Sequence, residues 1–168
     1  MRRVAPRRKK LRDPAREPVP PPPLEVLDRQ RRIGLPRRRI ERAVAAALAL
    51  KPRRAGRLSL ALVGDRAIRR LHHDHLGLDS ATDVLAFPFA GAGGLLGEVV
   101  ASADTAWREA RARGVRPADE LLLYVVHGVL HLLGFDDHAP ADRKRMRAAE
   151  RRALRAAGVT RDLFRTGR

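Results

Sequence analysis

The residues best placed to do chemistry lie in one segment, His127-Gly-Val-Leu-His131-Leu-Leu-Gly-Phe-Asp-Asp-His138. His127 and His131 are four apart, so on a helix they stand on one face, one turn above the other. Neutral imidazole is a good ligand for zinc and similar transition metals. Gly134 suits the end of such a helix, and His138 follows in the turn. Three histidines around an ion leave a position open for water, which is the layout of a catalytic rather than a closed structural site. The competing reading is a pair of core histidines bonded to their neighbours. The metalloprotease helix His-Glu-x-x-His is the obvious comparison, but its Glu, the general base, is replaced here by Gly128. The metal fits that comparison, and the missing Glu argues against peptide hydrolysis, leaving a metal-dependent hydrolase of another substrate as an alternative reading.

The helix that must carry the pair is well marked. Pro117 suits a first helical position, and Asp119 and Glu120 suit the positive end of the helix dipole. Leu121, Leu122, Leu123, Val125, Val126, Val129, Leu130, Leu132 and Leu133 then go around the whole helix, which predicts a buried central element. An imidazole in such surroundings is costly without a partner, which favours occupied histidines.

These residues carry a family resemblance. HGVLHLLGFDDH resembles the signature His-Gly-x-Leu-His-Leu-x-Gly-Tyr/Phe-Asp-His of the YbeY-type endoribonucleases, the bacterial ribosomal RNA maturation factors. The stretch from Thr82 to Phe89, TDVLAFPF, is similar to that family's Thr-Asp-Val-Leu-Ser-Phe-Pro-Phe strand. Leu96 to Ser102, LGEVVAS, resembles its Gly-Asp-Ile-x-Ile-Ser strand. Order and spacing agree over about 58–159. The resemblance implies a single-strand-specific, zinc-dependent endoribonuclease working on small-subunit ribosomal RNA and on ribosome quality, without DNA specificity. Two positions depart from the pattern. The family's third histidine falls ten residues after the first, where this chain has Asp137, with His138 one later. Either the turn holds one extra residue and His138 is the third ligand, or Asp137 is. His138 is favoured, because an exposed turn tolerates an insertion. Asp136 or Asp137 would then orient a ligand or the water. The second departure is Leu76, which aligns with a catalytically important arginine of the family. Arg69 and Arg70 lie on the same expected helix as possible substitutes.

The chain has 168 residues, a formal net charge of +17 and no cysteine. The length suits one domain. Thiolate metal sites, disulfides and cysteine catalysis are excluded. The apolar run 121–135 is too short to span a bilayer, and no apolar stretch follows the basic N-terminus as a secretory signal requires, so the cytoplasm is the expected location. Residues 1–23 hold eight Lys/Arg against two Asp/Glu, and residues 139–168 ten against three. Charge gathered at two ends is the footprint of a polyanion partner, and RNA fits the resemblance. Arginine bias from genome composition is the plain alternative. Six aromatic residues are too few for a base-stacking surface, so contact with the phosphate backbone is the expected mode.

Residues 1–23 are Arg- and Pro-rich and are expected to form a disordered tail. A folded domain is expected over 24–160, and a basic tail over 161–168. Strands are expected at 24–28, 58–63, 83–87 and 97–101, with a Gly91-Ala-Gly-Gly94 turn between the last two. Helices are expected at 36–50, at 65–76 with Asp65 as cap, at 102–113 with Ser102 as cap, and at 141–157. Strands and helices alternate, which points to a small α/β or α+β sandwich with the histidine helix packed on the sheet. With the resemblance, the expected fold is a single α+β domain with a mixed, mostly parallel sheet. His72, His73 and His75 look like a cluster, but positions i, i+1 and i+3 do not converge on a helix. Trp107 reads as a packing residue.

Overall fold

In the computed structural model, which describes residues 23–51, 57–89 and 95–164, the elements run in the order β1 (Leu24–Asp28), α1 (Arg37–Leu48), β2 (Arg57–Val63), α2 (Asp65–Leu76), β3 (Val84–Pro88), β4 (Leu95–Ser102), α3 (Ala103–Arg113), α4 (Pro117–Leu132) and α5 (Pro140–Ala156). The sheet has the order β1-β2-β4-β3. β1 pairs parallel with β2 and β2 with β4, while β3 runs antiparallel to β4 as an edge strand. This is the expected α+β domain with a mixed, mostly parallel sheet. The Gly91–Gly94 turn lies outside the described residues, as do residues 1–22 of the expected N-terminal tail.

Alternation along the strands sorts the core into two layers. Leu58, Leu60, Leu62, Val99 and Ala101 face the larger layer, which α1, α3, α4 and α5 complete. Ala61, Val63, Leu85 and Val100 face the other way and are covered by Ile68 and Leu71 of α2. Pro23 belongs to the sheet, since its carbonyl accepts the Leu58 amide at 3.1 Å. Residues 161–164, expected as the start of a C-terminal tail, pack on the domain. Leu163 is buried, its carbonyl accepts from Arg113 at 2.9 Å, and Arg161 donates to the Gly114 carbonyl at 2.7 Å. Residues 165–168 lie outside the described residues.

One acid departs from its expected role, and two keep theirs in buried surroundings. Asp65 is not the cap of α2; Gly64 holds that position. The Asp65 carboxylate instead accepts the Ser102 and Thr105 hydroxyls at 2.7 and 2.9 Å and pairs with Arg108, tying α2 to α3. Burial alone would raise its pKa, but these donors outweigh burial and hold it below the usual range. Ser102 caps α3 as expected, accepting from the Thr105 amide. Asp119 and Glu120 lie in the first turn of α4, as the dipole reading expects, and are buried. Asp119 pairs with Arg39 at 2.6 Å and Arg116 at 2.8 Å, and Glu120 pairs with Arg113. The N-terminus of α4 is therefore inside the protein, where acids require such partners.

α4 is the central element that its apolar sequence predicts, with residues 119–126 all buried. It lies directly on the sheet at Gly128. A Cβ there would stand 2.7 Å from Val99 Cγ1 and 2.9 Å from Val84 Cγ2. Gly97 makes the matching approach from the sheet, where a Cβ would meet a Leu132 methyl at 2.7 Å. The position that carries the general base in His-Glu-x-x-His helices thus points into packed valines. The Gly128→Glu variant is expected to lose more than about 3 kcal/mol of stability, because it combines overpacking with an unpaired buried charge. Urea unfolding measures the loss; a variant as stable as the parent would contradict the packing described.

Candidate metal centre

Gly128 and Leu132 face the sheet, so the residues just before them, His127 and His131, share an adjoining face of α4. Their Nε2 atoms converge to 2.9 Å, and the rings meet edge to face at 4.5 Å. The Asp137 carboxylate completes the group, with Oδ2 at 3.8 Å from His127 Nε2 and Oδ1 at 3.9 Å from His131 Nε2. One ligand atom from each of the three lies within 4.8 Å of the other two. Ligands of a tetrahedral ion at roughly 2.0–2.2 Å stand about 3.4 Å apart, and the three separations bracket that figure. Two imidazoles and a carboxylate are an acceptable donor set for zinc. The residues present therefore fit an ion.

His127 is fixed from behind. Its Nδ1 lies 2.7 Å from Oε1 of Glu150, which α5 brings into the core and which is only 3% exposed. A carboxylate there accepts the Nδ1 proton, selects the tautomer and leaves the Nε2 lone pair facing His131 and Asp137. Burial pushes the His127 imidazolium down, but the hydrogen bond and charge of Glu150, with Asp137 and Asp83 nearby, overcome it and hold its pKa above the ordinary value. His131 goes the other way. Burial and then the charge of His127 lower it. The pair is thus split, and His131 gives up its proton first.

The turn after α4 decides which residue joins them. Gly134 is left-handed at φ 76°. Asp136 Oδ1 then accepts the amides of Asp137 at 2.7 Å and His138 at 3.2 Å. These amides, that of His138 foremost, hold the Asp136 carboxyl below its usual range. The resulting tight turn sends Asp137 back towards the histidines. His138, favoured from sequence as the third ligand, is not brought to the pair. It is 90% exposed, with Nε2 3.7 Å from Asp136 Oδ1. It does share a second grouping with Asp136 and Asp137.

Other candidates fall outside the site. His72 bonds through Nδ1 to the Ser80 carbonyl at 2.8 Å, and His75 lies against Phe87. They form no metal group with His73 among the described residues. Leu76 is 61% exposed. Arg69 is held by both carboxylate oxygens of Asp79 at 2.6 Å, whereas Arg70 has no ion pair among the described residues. Trp107 packs between the Arg32 and Arg111 guanidinium groups.

Sequence reasoning missed Glu150. Its signal was present, since Met146, Glu150, Ala153 and Leu154 form the buried stripe of α5 and a lone acid on such a stripe needs a partner. Asp83, which adds to the potential at His127, was read only as part of a strand.

The family model for endoribonuclease YbeY matches residues 25–158. The chain belongs to the endoribonuclease YbeY family. An endoribonuclease YbeY of Anaeromyxobacter dehalogenans (strain 2CP-C) is 47% identical over 134 residues, covering 78% of this chain and 69% of that protein. One from Alkalilimnicola ehrlichii (strain ATCC BAA-1101 / DSM 17681 / MLHE-1) is 42% identical over 139 residues, covering 76% and 82%. The solution structure of TM1509 from Thermotoga maritima shares the fold at a TM-score of 0.56 with 23% identity, over 80% of this chain and 88% of that one.

The Glu150 contact yields a test. In metal-free protein, proton NMR is expected to show His127 titrating above an ordinary imidazole and His131 below it. Protons compete for the same Nε2, so acidification displaces metal from His127 at a higher pH than from an ordinary histidine. Glu150→Gln removes the charge that raises His127, so its midpoint falls. The same change loosens the ring and weakens metal binding by about 10- to 100-fold. An unmoved midpoint in the variant contradicts the contact.

Proposed function

We propose that this protein is a zinc-dependent endoribonuclease of the cytoplasm, cutting single-stranded ribosomal RNA during maturation and quality control of the small ribosomal subunit. The observation that carries the reading is the convergence of His127, His131 and Asp137 at the end of α4, in a chain of the endoribonuclease YbeY family. The activity for which the family is named supplies the reaction. Among the described residues no helix is long and apolar enough to cross a membrane.

His127, His131 and Asp137 would hold the ion. His138 is the alternative third ligand and would need the turn to rearrange. A bound zinc supplies Lewis-acid activation of water and of the scissile phosphate. The chain's own residues do the rest. Glu150 keeps the His127 proton on Nδ1, so Nε2 remains a ligand. Asp136 shapes the turn that presents Asp137. The acids around the histidines favour a cation there and disfavour a bare phosphate, so RNA approach falls to the basic surface beside the site. α5 starts two residues after His138 and carries that surface. Lys144 and Arg147 are exposed on it without an ion pair among the described residues, while Arg145 pairs with Asp142 and Arg143 donates to the His138 carbonyl.

Turnover and affinity are therefore separable. His127→Ala is expected to lower cleavage of a single-stranded ribosomal RNA fragment by about 100-fold or more while leaving RNA affinity nearly unchanged. Neutralising Lys144 and Arg147 is expected to weaken binding and flatten its salt dependence, because each lost phosphate contact releases one counterion fewer. Equal cleavage by wild type and His127→Ala would refute the nuclease reading. Binding to ribosomal particles with no cleavage by either would make the protein a non-catalytic ribosome-associated factor.

A further inference from the structure

Lys51 lies far from the metal group in sequence, just beyond α1, yet it touches the turn that forms that group. Its Nζ donates to the carbonyls of Leu133 at 3.0 Å and Gly134 at 3.3 Å. The same ammonium stands 4.4 Å from the Phe135 ring centroid. One side chain thus holds three consecutive residues at the end of α4. Leu133 is the C-cap of α4 and Gly134 follows it; carbonyls at a helix C-terminus lie at the negative end of the dipole, so a cation is favoured there. The Phe135 face adds a cation–π contact.

The position of this clamp matters. His131 is two residues before the clamped stretch and Asp136 is the residue after it. The turn has its own internal tie, the Asp136 carboxylate on the amides of Asp137 and His138. That tie sets the shape of the turn but does not anchor it to the domain. Glu150 anchors His127 only. The stretch is tied back to α4 by the Gly134 amide on the His131 carbonyl at 2.8 Å and the Phe135 amide on the Leu130 carbonyl at 3.0 Å, and Leu133 is buried in the core. Lys51 adds a tie to a second element, from just beyond α1 to the main chain that leads into Asp137.

We propose that Lys51 is a positioning residue for the metal centre, a latch that holds the 133–135 turn so that Asp137 meets the two histidines. The proposal rests on the reading of His127, His131 and Asp137 as the ligands. It has a signature that charge alone does not share. Lys51 is a cation near a cation site, so a purely coulombic role makes neutral variants bind metal more tightly. A latch makes them bind more weakly.

The test is Zn²⁺ titration of the full chain against a chromophoric chelator, with the melting temperature of metal-free protein as a control and the Co²⁺ absorption spectrum as a readout of coordination. Lys51→Met is expected to weaken Zn²⁺ by about tenfold, the lower end for residues that orient ligands, and to alter the Co²⁺ spectrum. Lys51→Arg, which keeps charge and donors, is expected to restore most of the affinity. Should Lys51→Met not fold, Lys51→Gln carries the same comparison against Lys51→Arg. Wild-type or tighter Zn²⁺ binding in the neutral variants overturns the latch. His127→Ala separates the two levels: if it binds Zn²⁺ like wild type, the ligand reading itself fails; if it loses Zn²⁺ while the neutral Lys51 variants do not, only the latch fails.

Discussion

Gly128 lets α4 lie directly on Val84 and Val99, with no room for even one methyl group between helix and sheet. The site inherits its geometry from that contact. A helix pressed this closely cannot rotate about its axis without driving Leu132 into β4 at Gly97. The direction of His127 and His131 is therefore fixed by packing rather than by the metal. The same contact explains why the His-Glu-x-x-His arrangement is not available here. The residue after the first histidine belongs to the core, so any base for the reaction must come from another element.

Around this helix the protein assembles charges that are costly separately and favourable together. Glu150 is almost wholly buried, and an uncompensated buried carboxylate costs several kcal/mol. His127 offsets that cost and is oriented by it. At the other end of α4, Asp119 and Glu120 are buried against Arg39, Arg116 and Arg113. Both ends of an otherwise apolar helix are thus tied by ion pairs to its neighbours. Breaking either tie leaves a charge in the core, which makes the placement of α4 steep in energy rather than soft.

Much of this was legible in the sequence, for reasons that mark where legibility stops. The i, i+4 histidines, the Pro117 start and the Gly134 end are local signals, and α4 runs between them. Ser102 is a cap by the same local logic. The roles of Asp65 and Glu150 were missed because they are long-range. Asp65 looks like a cap until Ser102, Thr105 and Arg108 arrive from α3. Glu150 looks like one more surface acid of a basic helix until its stripe is seen to face His127. The choice between Asp137 and His138 depended on whether the turn has an extra residue or a tighter shape, and the amides bound by Asp136 decide that shape. No periodicity encodes it.

Packing and the Asp136 turn bring Asp137, not His138, to the histidine pair. Zn²⁺ affinity of two single variants tests it most directly. Asp137→Ala is expected to weaken Zn²⁺ by more than about tenfold, at least the effect of losing an orienting partner, while His138→Ala leaves it nearly unchanged. A large loss in His138→Ala with little change in Asp137→Ala would contradict the account and put the extra residue in the turn.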